Sequence, residues 1–194
     1  MAASAMVGVG NIDHIVNKIC EEAKKIIPGK NLGAVISKES RERINRYIDE
    51  AEKAGAKVLV DGRNPKVEGK ENGFYVGPTV IDFVKPDMAI AKEEVFGPVL
   101  ALMVAENFEE ALRLANDVRF GLSASIISKD LTRVHQFING IEAGLITVNL
   151  PTAGVEYQLP FGGTKESSFG MREQGPQALD FYSETRTVYL KYTQ

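Results

Sequence analysis

Two short turns hold side chains whose types and spacing could do chemistry. The first is Lys92-Glu93-Glu94-Val95-Phe96-Gly97-Pro98 and the second is Leu159-Pro160-Phe161-Gly162-Gly163-Thr164-Lys165. Loops rich in Gly and Pro at strand ends are where α/β folds place their ligand contacts. Glu94 and Phe96 stand two residues apart, so one loop presents a carboxylate and a flat apolar ring. The carboxylate can accept two hydrogen bonds from a ribose diol, and the ring can pack against a nicotinamide face. The plainer reading of the same residues is a solvated turn at Glu93-Glu94 and a core anchor at Phe96. Phe161 is open between pocket lining and simple packing, and Glu156 reads as an exposed charge.

No other constellation offers a reaction. There is no Ser-His-Asp set with readable spacing, and two His and one Cys make no metal-ligand cluster. Gly8-x-Gly10 lacks the third glycine of a dinucleotide fingerprint. Cys20 lies beside Ile19 and Ala23 at the edge of an apolar stripe, which marks a buried structural thiol with no adjacent cation to lower its pKa. His135 falls off the apolar face of its helix and is expected in solvent.

The elements that must position the two turns alternate strand and helix. Residues 1–10 read as a strand, with Asn11 or Asp13 capping a helix whose Ile12, Ile15, Val16, Ile19, Ala23, Ile26 and Ile27 recur at helical spacing until Pro28-Gly29. Ser37 opens a second helix with Ile44, Tyr47, Ile48 and Ala51 on one face, closed by Gly55. Lys57–Val60 is a strand, Asp61–Pro65 a turn, and Phe74–Val84 is extended and broken at Gly77-Pro78. Val99–Val104 is a strand. Asn107 with Glu110 makes a capping-box start for a helix facing the core through Phe108, Ala111, Leu112 and Ala115. Leu122–Ile127 and Ala143–Val148 are strands, flanking a helix capped by Asp130 that carries Leu131, Val134, Ile138 and Ile141. This alternation predicts parallel pairing through helical crossovers. Arg172–Tyr182 is helical in outline, and Thr187–Tyr192 alternates as a final strand with no later partner.

Composition bounds the rest. A chain of 194 residues can bury one sizeable α/β core, and 44% hydrophobic with 25% charged residues is ordinary globular material. The net charge of −3 and the lack of a Lys/Arg cluster argue against a nucleic-acid partner. No apolar run is long enough for a membrane span, and no secretory signal is readable. A single cysteine suits a reducing, cytoplasmic setting.

Three motifs in matching order, Glu93-Glu94-Val95-Phe96-Gly97-Pro98, Pro160-Phe161-Gly162-Gly163 with Lys165 and Ser167, and Arg172-Glu173-Gln174-Gly175 before Tyr182 and Thr187-Val188, resemble the C-terminal part of the aldehyde dehydrogenase superfamily. The likeness implies an α/β fold, with a mostly parallel Rossmann-like sheet flanked by helices. It further implies an incomplete catalytic domain over 1–182 and an oligomerisation strand over 183–194. Glu94 matches the glutamate that meets the nicotinamide ribose, Phe96 the aromatic beside the nicotinamide, Phe161 an aromatic near the aldehyde pocket, and Asn149 a loop-supporting asparagine. Leu59-Val60-Asp61-Gly62-Arg63 resembles methylmalonate-semialdehyde dehydrogenases, while Pro151-Thr152-Ala153-Gly154-Val155-Glu156 looks more like the α-ketoglutaric (2,5-dioxopentanoate) type.

The same likeness places the nucleophilic cysteine immediately before Met1, and the base glutamate, oxyanion asparagine and cofactor-binding lysine earlier still. The expectation is therefore part of an NAD- or NADP-dependent semialdehyde dehydrogenase, with no catalytic residue and no metal site of its own. Alone it is expected to be inactive, to bind no cofactor, and to self-associate through its C-terminal strand. The alternative is a structural or binding subunit that pairs with a separate N-terminal half.

Overall fold

The computed structural model describes residues 2–192. Their packing divides into a larger unit, Ala2–Val118 with His135–Ile141, and a smaller unit made of Arg119–Val134 and residues 142–192.

The larger unit is built on a four-stranded sheet of β1 (Ala5–Val9), β2 (Lys57–Val60), β3 (Thr79–Asp82) and β4 (Val99–Ala105), in the order β1-β4-β3-β2. β4 runs parallel to both β1 and β3, and β2 closes the edge antiparallel to β3. A mostly parallel sheet with one antiparallel edge strand is a common α/β arrangement. Successive residues of a strand point to opposite faces, and β4 buries both. Val99, Ala101 and Met103 join Ile44, Ile48 and Ala51 of helix α2 (Lys38–Lys53) in one core cluster. Leu102, with Val80 of β3, joins Ile12 and Val16 at the start of helix α1 (Asp13–Lys24) in the other. The sheet is thus sandwiched between helices, which is why β4 reads as an unbroken apolar run.

Local chemistry sets the helix ends. Ser37 is extended, and its hydroxyl accepts from the Ser40 amide at 3.1 Å to start α2; Gly55, at φ +99°, follows its C-cap. Asn107 caps α4 (Phe108–Asn116) by accepting from the Glu110 amide, while the Glu110 carboxylate reaches back to the Glu106 amide, one residue before the cap. α1 stops at Lys24, short of the expected Ile27, because the Asn31 side chain takes the Ile27 amide at 2.6 Å. A side chain offering the backbone another acceptor competes with the helix ladder. Ile26 and Ile27 are consequently exposed.

The turn after β2 is tied back to α2. The Arg63 guanidinium meets Asp61 at 2.6 Å, Asp49 at 2.5 Å and Glu52 at 3.0 Å. Hydrogen bonds from Arg63 hold the Asp61 carboxyl below the usual carboxylate range. Next to it, the Gly77 amide donates to the Gly62 carbonyl at 2.7 Å, and the hydroxyl of buried Thr79 accepts from the Gly62 amide at 3.1 Å. These contacts give Gly77-Pro78-Thr79 a structural role.

In the smaller unit β6 (Ser123–Ile126) pairs parallel with β7 (Leu145–Val148), and β5 (Phe120–Gly121) pairs antiparallel with β8 (Thr164–Lys165). Helix α5 (Leu131–Gly140), which begins in this unit and whose residues from His135 on are counted with the larger one, connects β6 to β7, as a parallel pair requires. Its buried residues are Val134, as expected, and Phe137, which takes the place expected of its neighbour Ile138; Leu131 and Ile138 are exposed and His135 is in solvent.

Three further expectations differ. A short helix, α3 (Ala89–Lys92), precedes the first turn. The helix expected over Arg172–Tyr182 shortens to α6 (Gln177–Phe181), because Gln174 and Gly175 adopt left-handed φ values and Glu173 bridges to Phe161 instead. Residues 183–192 form no helix or strand and lie exposed. A strand is a shared hydrogen-bond ladder, and the described chain offers this segment no partner strand. Met1 and residues 193–194 of the expected domain ranges lie outside the described residues.

Candidate functional site

Within the larger unit, the Glu93–Pro98 turn is held at both ends and at its base. At its entry the Glu93 amide donates to the Ala89 carbonyl at 2.9 Å, closing α3. At its exit the Pro98 carbonyl accepts from the Thr79 amide at 2.8 Å. Val95 turns inward and is buried in the main core. Gly97 sits directly on Ile44 of α2: a Cβ there would stand 2.7 Å from Ile44 Cδ1. Because Ile44 is 0% exposed and cannot move aside, only glycine lets the turn lie this close to the helix.

This anchoring pushes the two intervening side chains outward. Phe96 takes φ +51°, an uncommon conformation for a non-glycine residue, and the residue is 71% exposed. A core anchor at Phe96, the plainer reading of the sequence, is excluded by that exposure. Glu94 is exposed, and among the described residues its carboxylate pairs with no other side chain. Strained, outward-facing residues on a braced turn are a pattern found at ligand contacts. Arg43 of α2, absent from the sequence reading, places its guanidinium carbon 5.9 Å from the Phe96 ring centroid. Its position three residues before Arg46 carried no signal, since only the fold brings α2 under the turn.

The second turn belongs to the smaller unit. Phe161 is half-buried and exchanges two backbone hydrogen bonds with Glu173, at 2.6 and 2.9 Å. The Arg172 guanidinium donates to the Gly163 carbonyl, and the Ser168 hydroxyl accepts from the Gly163 amide at 2.7 Å. The Ser167 hydroxyl accepts from the Gly121 amide at 2.9 Å. The motif residues Arg172 and Ser167 therefore shape the loop rather than face a ligand. Asn149, at φ +55°, accepts from the Ser128 amide at 2.9 Å and donates to the Ser128 carbonyl at 3.0 Å. It supports the loop after β7. Glu156 is exposed.

Cys20 packs half-buried against the α1 side of the sheet. Burial pushes its thiol pKa up; Lys24, one helical turn on, pulls the other way but less, and Asp82 adds to the rise. The sequence reading overlooked Lys24, though its conclusion of a structural thiol stands on burial. Among the described residues no group of His, Cys, Asp and Glu could hold a metal ion, and no helix is long and apolar enough to cross a membrane.

Residues 2–188 match the model of the aldehyde dehydrogenase family. The α-ketoglutaric semialdehyde dehydrogenase of Bacillus subtilis (strain 168) is 42% identical over 188 residues, covering 94% of this chain. The chain spans only 38% of that relative's length. The crystal structure of methylmalonate-semialdehyde dehydrogenase from Oceanimonas doudoroffii matches with a TM-score of 0.90 at 34% identity, over 98% of this chain and 41% of that one. Betaine aldehyde dehydrogenase from Staphylococcus aureus, solved in complex with NAD+, matches with a TM-score of 0.85 at 33% identity, over 92% and 37%.

Proposed function

Because the chain belongs to the aldehyde dehydrogenase family, we propose that it supplies part of the catalytic half of an NAD(P)-dependent semialdehyde dehydrogenase, which oxidises an aldehyde to a carboxylic acid. The observation that carries the proposal is the outward presentation of Glu94 and Phe96 on a turn braced against α2. These residues fit the nicotinamide end of the cofactor. An exposed carboxylate accepts two hydrogen bonds from the ribose diol, and an exposed ring offers a flat face to the nicotinamide. Arg43 of α2, over that ring, adds positive charge beside the turn, suited to an anionic dinucleotide. Phe161 is proposed to line the aldehyde pocket. NAD or NADP held there would supply a hydride acceptor, and Glu94 and Phe96 would orient it and exclude water from its face.

The chain by itself is proposed to be inactive and to bind NAD or NADP more weakly than about 1 mM, since a few contacts at one end cannot offset the freedom lost on binding. A reducing, cytoplasmic setting suits its single thiol. The substrate class rests on relatives that act on α-ketoglutaric and methylmalonate semialdehydes. The test is an assay of the protein at full length with both semialdehydes and NAD or NADP. Reduced cofactor formed from at least one semialdehyde, in preference to betaine aldehyde, is the expected result. Turnover of neither semialdehyde would overturn the reading.

The chain is also proposed to self-associate through residues 183–192. It exposes 13116 Å² of surface, whereas two separate compact bodies of these sizes would expose about 10,900 Å² together. The tail contributes to this excess: Val188, Tyr189, Leu190 and Tyr192 are 65–94% exposed. An apolar, extended, unpaired segment gains backbone hydrogen bonds and buried area by joining a sheet edge of a second copy. Val188→Lys with Leu190→Lys should shift the mass seen by light scattering at tens of micromolar from dimer toward monomer. A monomer mass for the unsubstituted chain would refute the proposal.

A further inference from the structure

The structure assigns Lys92 the role of a positioning residue for the cofactor turn; the assignment rests on reading Glu94 and Phe96 as nicotinamide-ribose contacts. Lys92 is the last residue of α3 and the first of the turn. Its ammonium donates to the Asp117 backbone carbonyl at 2.7 Å and meets the Asp117 carboxylate at 2.6 Å. Asp117 is the C-cap of α4, where helix carbonyls lack intrahelical donors and the dipole favours a cation. α4 in turn rests on β1 and β4, so the clamp ties the turn's entry to the sheet.

The Glu93 amide, the Pro98 carbonyl, Gly97 on Ile44 and buried Val95 hold the turn through backbone and close-packing contacts. Lys92 to Asp117 is a polar side-chain hold at the turn's entry, and it is made to α4. The lysine side chain is 36% exposed and the aspartate 48%. An ion pair this open adds little to global stability. Its removal therefore frees the entry of the turn without unfolding the core beneath it. Glu94 and Phe96 then spend less time in the binding pose, and apparent affinity falls in proportion to that fraction.

The experiment is an NMR titration of the isotope-labelled chain with NAD to tens of millimolar, following the amides of Glu94, Val95 and Phe96. In the unsubstituted chain these amides are expected to shift. In Lys92→Met the half-saturation concentration should rise about fivefold, as it would if the competent pose were held about a fifth of the time. Amides of the core, such as Ile48 and Leu102, should stay in place. Lys92→Arg, which can bridge the same two oxygens, should bring the value back to within about twofold of the original. Asp117→Asn should weaken binding too, although it makes the chain less negative. A tightening there would show simple charge attraction at work and overturn the assignment, as would an unchanged half-saturation in Lys92→Met. Absence of any NAD-induced shift at these amides in the unsubstituted chain, or no loss in Glu94→Ala, would instead overturn the cofactor reading beneath it.

Discussion

Purified chain mixed with NAD or NADP and a semialdehyde is expected to form no reduced cofactor above the uncatalysed rate. The family resemblance implies chemistry through a thiolate that attacks the carbonyl, so that hydride leaves a covalently held carbon. Holding the reacting carbon in place is worth an effective molarity of about 10⁵ M or more in well-oriented systems. This chain has one thiol, Cys20. It lies half-buried on α1, with burial raising its pKa, so little thiolate forms and it faces the sheet packing rather than a cofactor turn. No described residue substitutes as a metal site. Spectrophotometry at 340 nm checks the expectation, and the trace should be the same for Cys20→Ser. Turnover that survives Cys20→Ser would contradict it most directly, because the chain would then be using chemistry outside its one thiol.

Gly62→Ala should be the most destabilising single methyl addition in the larger unit. An added Cβ would fall inside the van der Waals envelope of the Gly77 carbonyl, a backbone group that cannot rotate away. Relief requires separating the two glycines. That breaks the 2.7 Å bond from the Gly77 amide to the Gly62 carbonyl and the 3.1 Å bond from the Gly62 amide to buried Thr79. Overpacking together with a stranded buried hydroxyl costs about 3–5 kcal/mol, a large share of the stability of an ordinary domain. The strand β3 then shifts, and with it the Thr79 amide that anchors Pro98 and the cofactor turn. Gly33→Ala is the comparison: its Cβ would enter open space, and the change should stay within about 0.5 kcal/mol. Urea unfolding followed by circular dichroism measures both. Equal midpoints for the two variants would show that the Gly62–Gly77 contact does not constrain the fold.

Much of this protein could be read from its amino-acid sequence because the relevant physics is local. Ser37 and Asn107 cap helices through amides three residues away, and the spacing of Ile44, Ile48 and Ala51 alone selects the buried face of α2. The apolar run of β4 announces a strand covered on both sides, and the motifs around Glu94, Phe161 and Arg172 were enough to point to the family that residues 2–188 match. Tertiary structure decided what local patterns cannot encode. The Glu173–Phe161 bridge cut short a helix whose composition favoured a longer one. The tertiary fold turned Phe96 outward, placed Arg43 above that ring and joined Lys92 to Asp117. The Arg43–Phe96 and Lys92–Asp117 contacts link residues far apart in the chain, and their energy exists only once the sheet and its helices have brought them together. The tail is the converse case: Val188 and Leu190 alternate as a strand should, yet the ladder that would make them one has no partner strand within the described chain.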